Sequence, residues 1–510
     1  MNPAQAASEV LALVKAALNT PDAELGKAWT QSGSAISGIT AYDLEAPAKL
    51  LFPVLTPLRN STPRVSGKGG IQANWRAVTG INTANLGLGL SEGNRGGIMS
   101  TSTADYIAAY KEYGLDDYVT FKADLAAEGF QDLKALAASN LLKSTMIGEE
   151  FLILGGNTSL ALGATANASL TQGNSGGALL GNTAYGVGVV ALTLDGYRRA
   201  KLLGGVVQSY ARTNGDGTSD TINGGTATPS SQANVTTAND AANAHIINAT
   251  VTAKAGAVGY AWFWGLASGN LTLGAITTIN SVSITALATG TTTSPGTANF
   301  TALGATDNST DSLIFDGLLT FAHNASLGSY QVTMATGNAG EGTPLTADGR
   351  GGVTEIDTAL QWFWDYYKLS PSTIWVSSQE IKNITAAVLQ GAANTAARFV
   401  VEVPNQGMLA GGFMVRSYLN KFSMDGATEI PIKIHPNLPK GTILFDTDTL
   451  PYPMSNVANV KQMRLRRDYY QVTWPQVKRR YEFGVYADGV LQHYFPPSIG
   501  VIYNIGDGLG

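Results

Sequence analysis

The chain has no cysteine among its 510 residues. That excludes disulfide scaffolds, thiolate nucleophiles and Cys-ligated zinc together. Histidine is almost as scarce: His245, His323, His435 and His493 are the whole supply, and no two stand at helical or hairpin metal spacing. Histidine is the commonest general base, so its scarcity argues against most hydrolytic mechanisms. Charged residues make up only 14%, against the usual quarter or so. The net charge of −5 lacks the basic excess of a general nucleic-acid binder. No apolar run reaches the roughly 18 residues of a membrane span. No phosphate-binding or dinucleotide loop motif is present, and no cofactor or metal is expected.

Gly, Ala, Thr, Asn and Ser fill the place of the missing charge. A chain this long predicts two to four domains. The opening MNPAQAASEVLALVKAALNT sets Val10, Leu13, Val14 and Leu18 at helical spacing and is interrupted by Glu9 and Lys15. It predicts a short amphipathic helix, not an export signal. Residues 1–63 continue as an arm punctuated by Pro47, Pro53, Pro57 and Pro63. The segment LLFPVLTPLRNSTPRV holds too many prolines for a helix and suits an extended path. Its Leu50, Leu51, Phe52, Val54 and Leu55 need a surface to lie against.

Residues 64–105 are Gly-rich and polar, with alternation such as Ile71-Gln72-Ala73-Asn74-Trp75-Arg76, and predict a long two-stranded hairpin. So little apolar content cannot make its own core, so the hairpin must be mobile or pack on a partner. Within 106–154, Phe130, Leu133, Ala137 and Leu141 recur at helical spacing and predict a long helix over about 127–151. Charge then nearly disappears. After a linker at 155–164, residues 165–290 carry alternating strands, as in Ile247-Ala249-Val251 and Val282-Ile284, with an aromatic run Tyr260-Trp262-Trp264. They predict an all-β sandwich of immunoglobulin-like class. Residues 291–352 read as a loop-rich connection.

Helix and charge return at 353–435. An aromatic helix (Ile356, Leu360, Phe363, Tyr367), a strand Thr373–Val376 and a Ser-capped helix 378–390 are predicted, with strands at 399–403, 412–419 and 430–435. Residues 436–510 alternate, with Tyr481, Phe483 and Val485 on one face and a turn at Ala487-Asp488-Gly489. A mixed α/β unit that stops near 155 and resumes near 350 implies a domain insertion.

The candidate reactive sites are weak. Gly173-Asn174-Ser175-Gly176-Gly177 matches a nucleophile-elbow pattern but is followed by a predicted strand rather than a helix, and every histidine lies downstream. Asn214-Gly215-Asp216-Gly217-Thr218-Ser219-Asp220 opens like a calcium loop, yet Ser219 and Gly225 stand where Gly and a bidentate Glu are required. Asp116-Asp117 and Glu149-Glu150 are adjacent carboxylates, which point in different directions; solvated faces or inter-subunit ion pairs are expected of them. The sharpest charge feature is Lys461, Arg464, Arg466 and Arg467 with Lys478, Arg479 and Arg480. It could grip a neighbour, face nucleic acid, or form a solvated strand edge.

In their order, these pieces resemble major capsid proteins of tailed bacteriophages with the HK-ninety-seven fold, above all in LLFPVLTPLRNSTPRV, GLSEGNRGG and LSPSTIWVSSQEIKNIT. The passage AVGYAWFWG…LGAITTINSVSIT resembles the immunoglobulin-like insertion of a subset of that family. The resemblance implies an α+β fold made of an N-terminal arm, an extended loop, a peripheral domain with a spine helix at 106–154, an axial domain at 353–435 and a return to the peripheral domain at 436–510. It implies hexamers and pentamers of the chain in an icosahedral shell around double-stranded DNA, assembled in a bacterial host's cytoplasm. A portal protein at one vertex and scaffolding and cementing proteins would be partners. The resemblance implies no membrane partner. The helix before residue 30 is too small for a cleaved scaffolding segment, so no maturation cleavage is expected.

Under this reading, Arg59, Arg64, Lys68, Trp75, Arg76, Glu92 and Arg95 in the arm and loop, and Arg464, Arg466, Arg467, Lys478, Arg479 and Arg480 in the basic cluster, are candidate inter-subunit contacts. The alternative is a surface-binding or adhesion protein, with Tyr260, Trp262, Phe263 and Trp264 as a carbohydrate platform.

Overall fold

The structure, a computed structural model, describes residues 49–128, 131–214, 217–240, 243–390, 414–424 and 426–507. The N-terminal amphipathic helix, Phe130 and the strand expected at 399–403 lie outside the described residues. The chain forms two compact units, Met1–Pro53 with Thr120–Ala135 and Val54–Val119 with Leu136–Gly510. In the smaller one, the helix Phe121–Ala126 is capped by Thr120, whose hydroxyl accepts from the Ala123 amide. Asp132 likewise accepts from the Lys134 and Ala135 amides, at the start of the long helix Leu133–Gly155.

In the larger unit a four-stranded sheet runs in the order Arg64–Ser66, Lys461–Thr473, Arg480–His493, Lys111–Thr120. Residues 64–66, expected from the sequence to open the hairpin, therefore do not. They pair in parallel with Met463–Leu465, and the Gly67 amide continues that pairing by donating to the Leu465 carbonyl. A Cβ on Gly67 would lie 2.4 Å from the Tyr110 hydroxyl oxygen, so a side chain there would have to push the Tyr110 ring aside. The hairpin itself joins Gln72–Ile81 to Thr101–Ala109.

The expected turn at Ala487-Asp488-Gly489 is absent. The strand runs unbroken from Arg480 to His493. Asp-Gly signals a turn when the aspartate is free to fold back on its own backbone; here the Asp488 carboxylate bonds Arg466. Gly489 makes room for Leu465, whose Cδ2 would lie 2.6 Å from an added Cβ.

A six-stranded sheet runs Tyr330–Thr333, Gly500–Tyr503, Ile443–Asp446, Thr373–Val376, Thr428–Ile434, Ser417–Asn420. The helix Thr354–Tyr367 packs Ile356, Leu360 and Phe363 into its core, and Ser378–Gln390 adds Ile384 and Ala387. Three of the six strands come from outside the axial span 353–435 expected from the sequence. Of residues 436–510, only Lys461–Thr473 and Arg480–His493 return to the four-stranded sheet. Short strands such as Gly500–Tyr503 are buried throughout, and a fully apolar run does not reveal which sheet it joins.

The segment expected to be a linker is a packed neck. Gly317 N bonds Gly156 O at 2.8 Å, Asp311 N bonds Asn157 O at 2.9 Å, Thr158 Oγ1 bonds Ile314 O at 2.6 Å, and Gly163 N bonds Asp307 Oδ2 at 2.7 Å. The chain leaves and re-enters through adjacent, hydrogen-bonded segments. The stretch 291–352 is likewise more than a connection, since it places Phe300 and Leu318 in cores.

Beyond the neck stands a sandwich of two sheets. One runs Ala233–Thr236, Ala184–Leu192, Gly259–Leu266, Thr272–Thr277; the other runs Ser281–Ile284, Ile246–Thr250, Ser169–Gly173. Numbered along the module, the orders are third-second-fifth-sixth and seventh-fourth-first. An immunoglobulin fold would pair first-second-fifth-fourth against third-sixth-seventh. The immunoglobulin-like connectivity expected from the sequence is therefore not the one observed. A short turn after Leu266 keeps the sixth strand beside the fifth instead of crossing it to the other sheet. Tyr260, Trp262 and Trp264 fill the core between the sheets, while Phe263 faces a second core with Val190, Leu192 and Phe300. Ala184–Leu192 and Gly259–Leu266 are buried on both faces, which leaves no room for charge in those two strands.

Candidate functional site

Glu149 and Glu150 lie on the long helix just before the apolar run Phe151-Leu152-Ile153-Leu154, and both are fully buried. This corrects their expected role as solvated or inter-subunit charges. Successive helical side chains diverge, and each carboxylate serves a different cluster. Glu150 accepts from the amides of Leu58 (3.0 Å) and Arg59 (2.7 Å), the first turn of the arm helix Pro57–Ser61. Pro57 supplies no amide there, so the carboxylate satisfies the next two donors. Glu150 also bonds His435 Nε2 at 2.7 Å. The arm is thus tied to the helix and to the segment following Thr428–Ile434.

Glu149 gathers Arg59 Nε (2.9 Å), Arg64 Nη1 (2.8 Å), Tyr113 Oη (2.6 Å) and the Tyr469 hydroxyl. Arg64 reaches on to Asp468 at 2.6 Å, and both guanidiniums lie over the Tyr469 ring. Burial alone would lower Arg64, but its bonds to Asp468 and Glu149 outweigh that and hold it above its ordinary value. Burial, reinforced by the Glu149 charge, raises the Tyr113 and Tyr469 phenols. The cluster joins arm, hairpin exit, long helix and C-terminal strands at one point. The sequence signal was two acids abutting a wholly apolar helical run, which leaves them no solvated face.

The predicted contact residues separate into groups. Arg59 and Arg64 are engaged within the chain as described. At the hairpin base Trp75 stacks on Tyr106 (5.8 Å) and meets Tyr494 edge-on (5.7 Å). Arg76 makes a two-pronged, exposed pair with Asp105, its cross-strand neighbour. Lys68, Glu92 and Arg95 are exposed.

The basic run does not form one patch. Lys461 is buried against Asp446 and Asp448. Arg464 bonds Gln492, Arg466 bonds Asp488 and Glu112, and Arg480 bonds Glu482 and covers Tyr118. Arg467 lies on the Tyr470 ring at 3.8 Å. Lys478 and Arg479 stand exposed.

The other candidates dissolve. Ser175 is exposed in a bend, and the chain continues to the strand Ala184–Leu192 with no intervening helix. His245 bonds Asp240 at 2.8 Å through Nε2, and its buried Nδ1 has no partner, so Ser175 does not engage it. Asn214 closes a hairpin tip by pairing its amide with the Thr218 carbonyl; residues 215–216 lie outside the described residues. No carboxylate–histidine metal cluster exists among the described residues. Tyr260, Trp262, Phe263 and Trp264 are all buried, so these four do not form the carbohydrate platform.

Buried titratable groups make stability depend on pH. Burial holds His323 down to about 4 from an ordinary 6.5, its bond to the Leu319 carbonyl opposing. Burial, then the Lys461 charge, holds His493 down to about 3. Burial pushes Glu380 up from 4.5 to about 7. Below pH 6.5 the unfolded chain binds protons at both histidines and the folded chain does not. Stability therefore falls with pH by about 1.4 kcal/mol per unit for each histidine. Glu380 opposes one of them between 4.5 and 7, because there only the folded form holds its proton. His493→Leu should lower the acid slope by about 1.4 kcal/mol per pH unit, measured as urea midpoints from pH 6.5 to 4.5. An unchanged slope contradicts the assignment.

No protein-family model matches the sequence, and no curated protein sequence matches it. Solved structures similar to it along nearly its whole length include capsids. The capsid of a native GTA particle covers 94% of this chain and 100% of its own, with a TM-score of 0.40 and 9% identity. The capsid of the cyanophage P-SCSP1u covers 95% and 98%, at 0.40 and 8%. The capsid of the Myoviridae phage XM1 covers 92% and 99%, at 0.38 and 8%.

Proposed function

We propose that this chain is a major capsid subunit of a tailed bacteriophage, assembling as hexamers and pentamers into an icosahedral shell around double-stranded DNA. The observation that carries this reading is the hairpin of residues 72–109. It pairs with itself alone, and it leaves Val78, Ile81, Leu88, Leu90, Ile98, Met99 and Ile107 exposed, Leu88 and Ile98 each at 94%. The arm adds Leu51 at 91% exposed, with Leu50, Phe52 and Leu55. Ordering such segments costs backbone entropy that their own contacts do not recover. Apolar surface on this scale marks a place where another molecule lies.

A second copy of the same chain, repeated by symmetry, covers such segments on every subunit at once. The hairpin base fits this role, since the contacts of Trp75 with Tyr106 and Tyr494 anchor the root of an element that must reach outward. Neighbour contact is the role proposed for Lys68, Glu92 and Arg95. Lys478 and Arg479 remain open to a neighbour or to DNA phosphates, a contact that does not depend on base sequence. A portal protein at one vertex is the partner this reading adds, with scaffolding and cementing proteins as optional ones. Negative-stain images of the chain expressed alone and with its scaffold test the reading. Closed particles tens of nanometres across are expected; a persistent monomer in both preparations contradicts it.

A further inference from the structure

Lys461 opens the strand Lys461–Thr473 and Asp446 closes the strand Ile443–Asp446, so the two residues sit where the four-stranded and six-stranded sheets meet. Both side chains are almost wholly buried, at 2% and 1% exposed. Lys461 Nζ contacts Asp446 Oδ2 and lies 2.9 Å from Asp448 Oδ1, whose side chain is half-exposed. Trp375 Nε1 donates to the same Asp446 Oδ2 at 3.2 Å. The other oxygen, Asp446 Oδ1, is buried and has no hydrogen-bond partner. A buried ion pair needs its remaining lone pairs satisfied to offset desolvation, and an orphan oxygen of this kind carries a desolvation cost that nothing repays.

We propose that Lys461 and Asp446 condense to an intramolecular isopeptide bond. The amine nitrogen attacks Cγ of Asp446 and forms the Nζ–Cγ bond. The Cγ–Oδ1 bond breaks, and Oδ1 leaves as water with two of the three ammonium protons; the third stays on the amide nitrogen. Charge and atoms balance with no outside reagent. Asp448 takes a proton from Nζ and returns it to the departing oxygen, and its half-exposed side gives the water a way out. Oδ2 stays as the amide oxygen, held by Trp375 Nε1, which also stabilises the charge it carries at the tetrahedral stage. Amine and carboxyl are held in contact before reaction, so the step is unimolecular. The product removes both the buried charge pair and the unpartnered oxygen, and ties the two sheets together covalently.

The test is the intact mass of the purified, denatured full-length chain. The proposal expects a mass one water below that of the sequence, and a tryptic peptide spanning 441–464 that stays uncut after Lys461. Asp446→Asn should reach the same product mass by expelling ammonia, while Asp448→Asn should slow the reaction. A chain of full sequence mass that is cleaved after Lys461 overturns the proposal. So does a water deficit with cleavage after Lys461 intact, which marks a cyclised aspartate instead. Neither measurement requires a folded lysine variant.

Discussion

Replacing Glu149 by alanine should lower the stability of the subunit by about 3–5 kcal/mol, read as a large fall in the urea midpoint. The side chain is wholly buried and holds two guanidiniums and two phenol hydroxyls. Its removal leaves Arg59 and Arg64, themselves largely buried, without the charge that compensates their desolvation, and leaves Tyr113 and Tyr469 without an acceptor. Breaking one side of a buried pair is far costlier than never having made it, because the remaining charge stays behind. Glu149→Gln separates the contributions: it keeps the shape and one acceptor oxygen but loses the charge, and should fall between alanine and the parent. Arg76→Ala is the control. Its pair with Asp105 lies in water on the hairpin, and its urea midpoint should match the parent. If Glu149→Ala also matches the parent, the network does not hold the arm in place.

Trimming the hairpin should do the opposite, leaving stability intact and abolishing assembly. Val78 and Thr103 are opposite one another in register. An Asn-Gly turn, which suits a two-residue hairpin, can join them in place of residues 79–102. The variant keeps Trp75 on Tyr106 and Tyr494 and keeps the Arg76–Asp105 pair. It removes Ile81, Leu88, Leu90, Ile98 and Met99, which contribute exposed surface rather than core. The expected outcome is a monomer with the parent's urea midpoint and no closed shells by negative stain. Shells of normal appearance would show that the tip is dispensable. Removal of 64–109 is a poorer experiment, because Arg64–Ser66 and Ala73 belong to the sheet and core of the subunit itself.

Where the pattern was local, the sequence was readable. The apolar spacing of Ile356, Leu360 and Phe363 marks a helix whose buried face is those residues. The strand Thr373–Val376 and the helix from Ser378 follow from a short apolar run and a serine cap, with Ser377 Oγ accepting from the Glu380 amide. The aromatic alternation of Tyr260, Trp262 and Trp264 pointed to a shared core, and they share one. What escaped depended on pairings distant in the chain. Glu149 meets Arg59 and Arg64 across about ninety residues, and Glu150 meets His435 across 285. Lys461 belonged to a basic run by sequence and to a buried pair with Asp446 by fold. The turn expected at Asp488 failed for the same reason, since its carboxylate is used by Arg466 on the neighbouring strand. Strand order in the sandwich is likewise set by which edges meet, and alternation carries no information about that.

The central claim is that the hairpin of residues 72–109 is completed by a second copy of the chain. A high-resolution electron cryomicroscopy reconstruction of assembled particles tests it most directly. The account predicts density for the hairpin lying across an adjacent subunit, with Leu88 and Ile98 covered there and Trp75 still seated on Tyr494 of its own chain. A hairpin folded back onto its own subunit, or projecting free with its apolar residues in solvent, would contradict it.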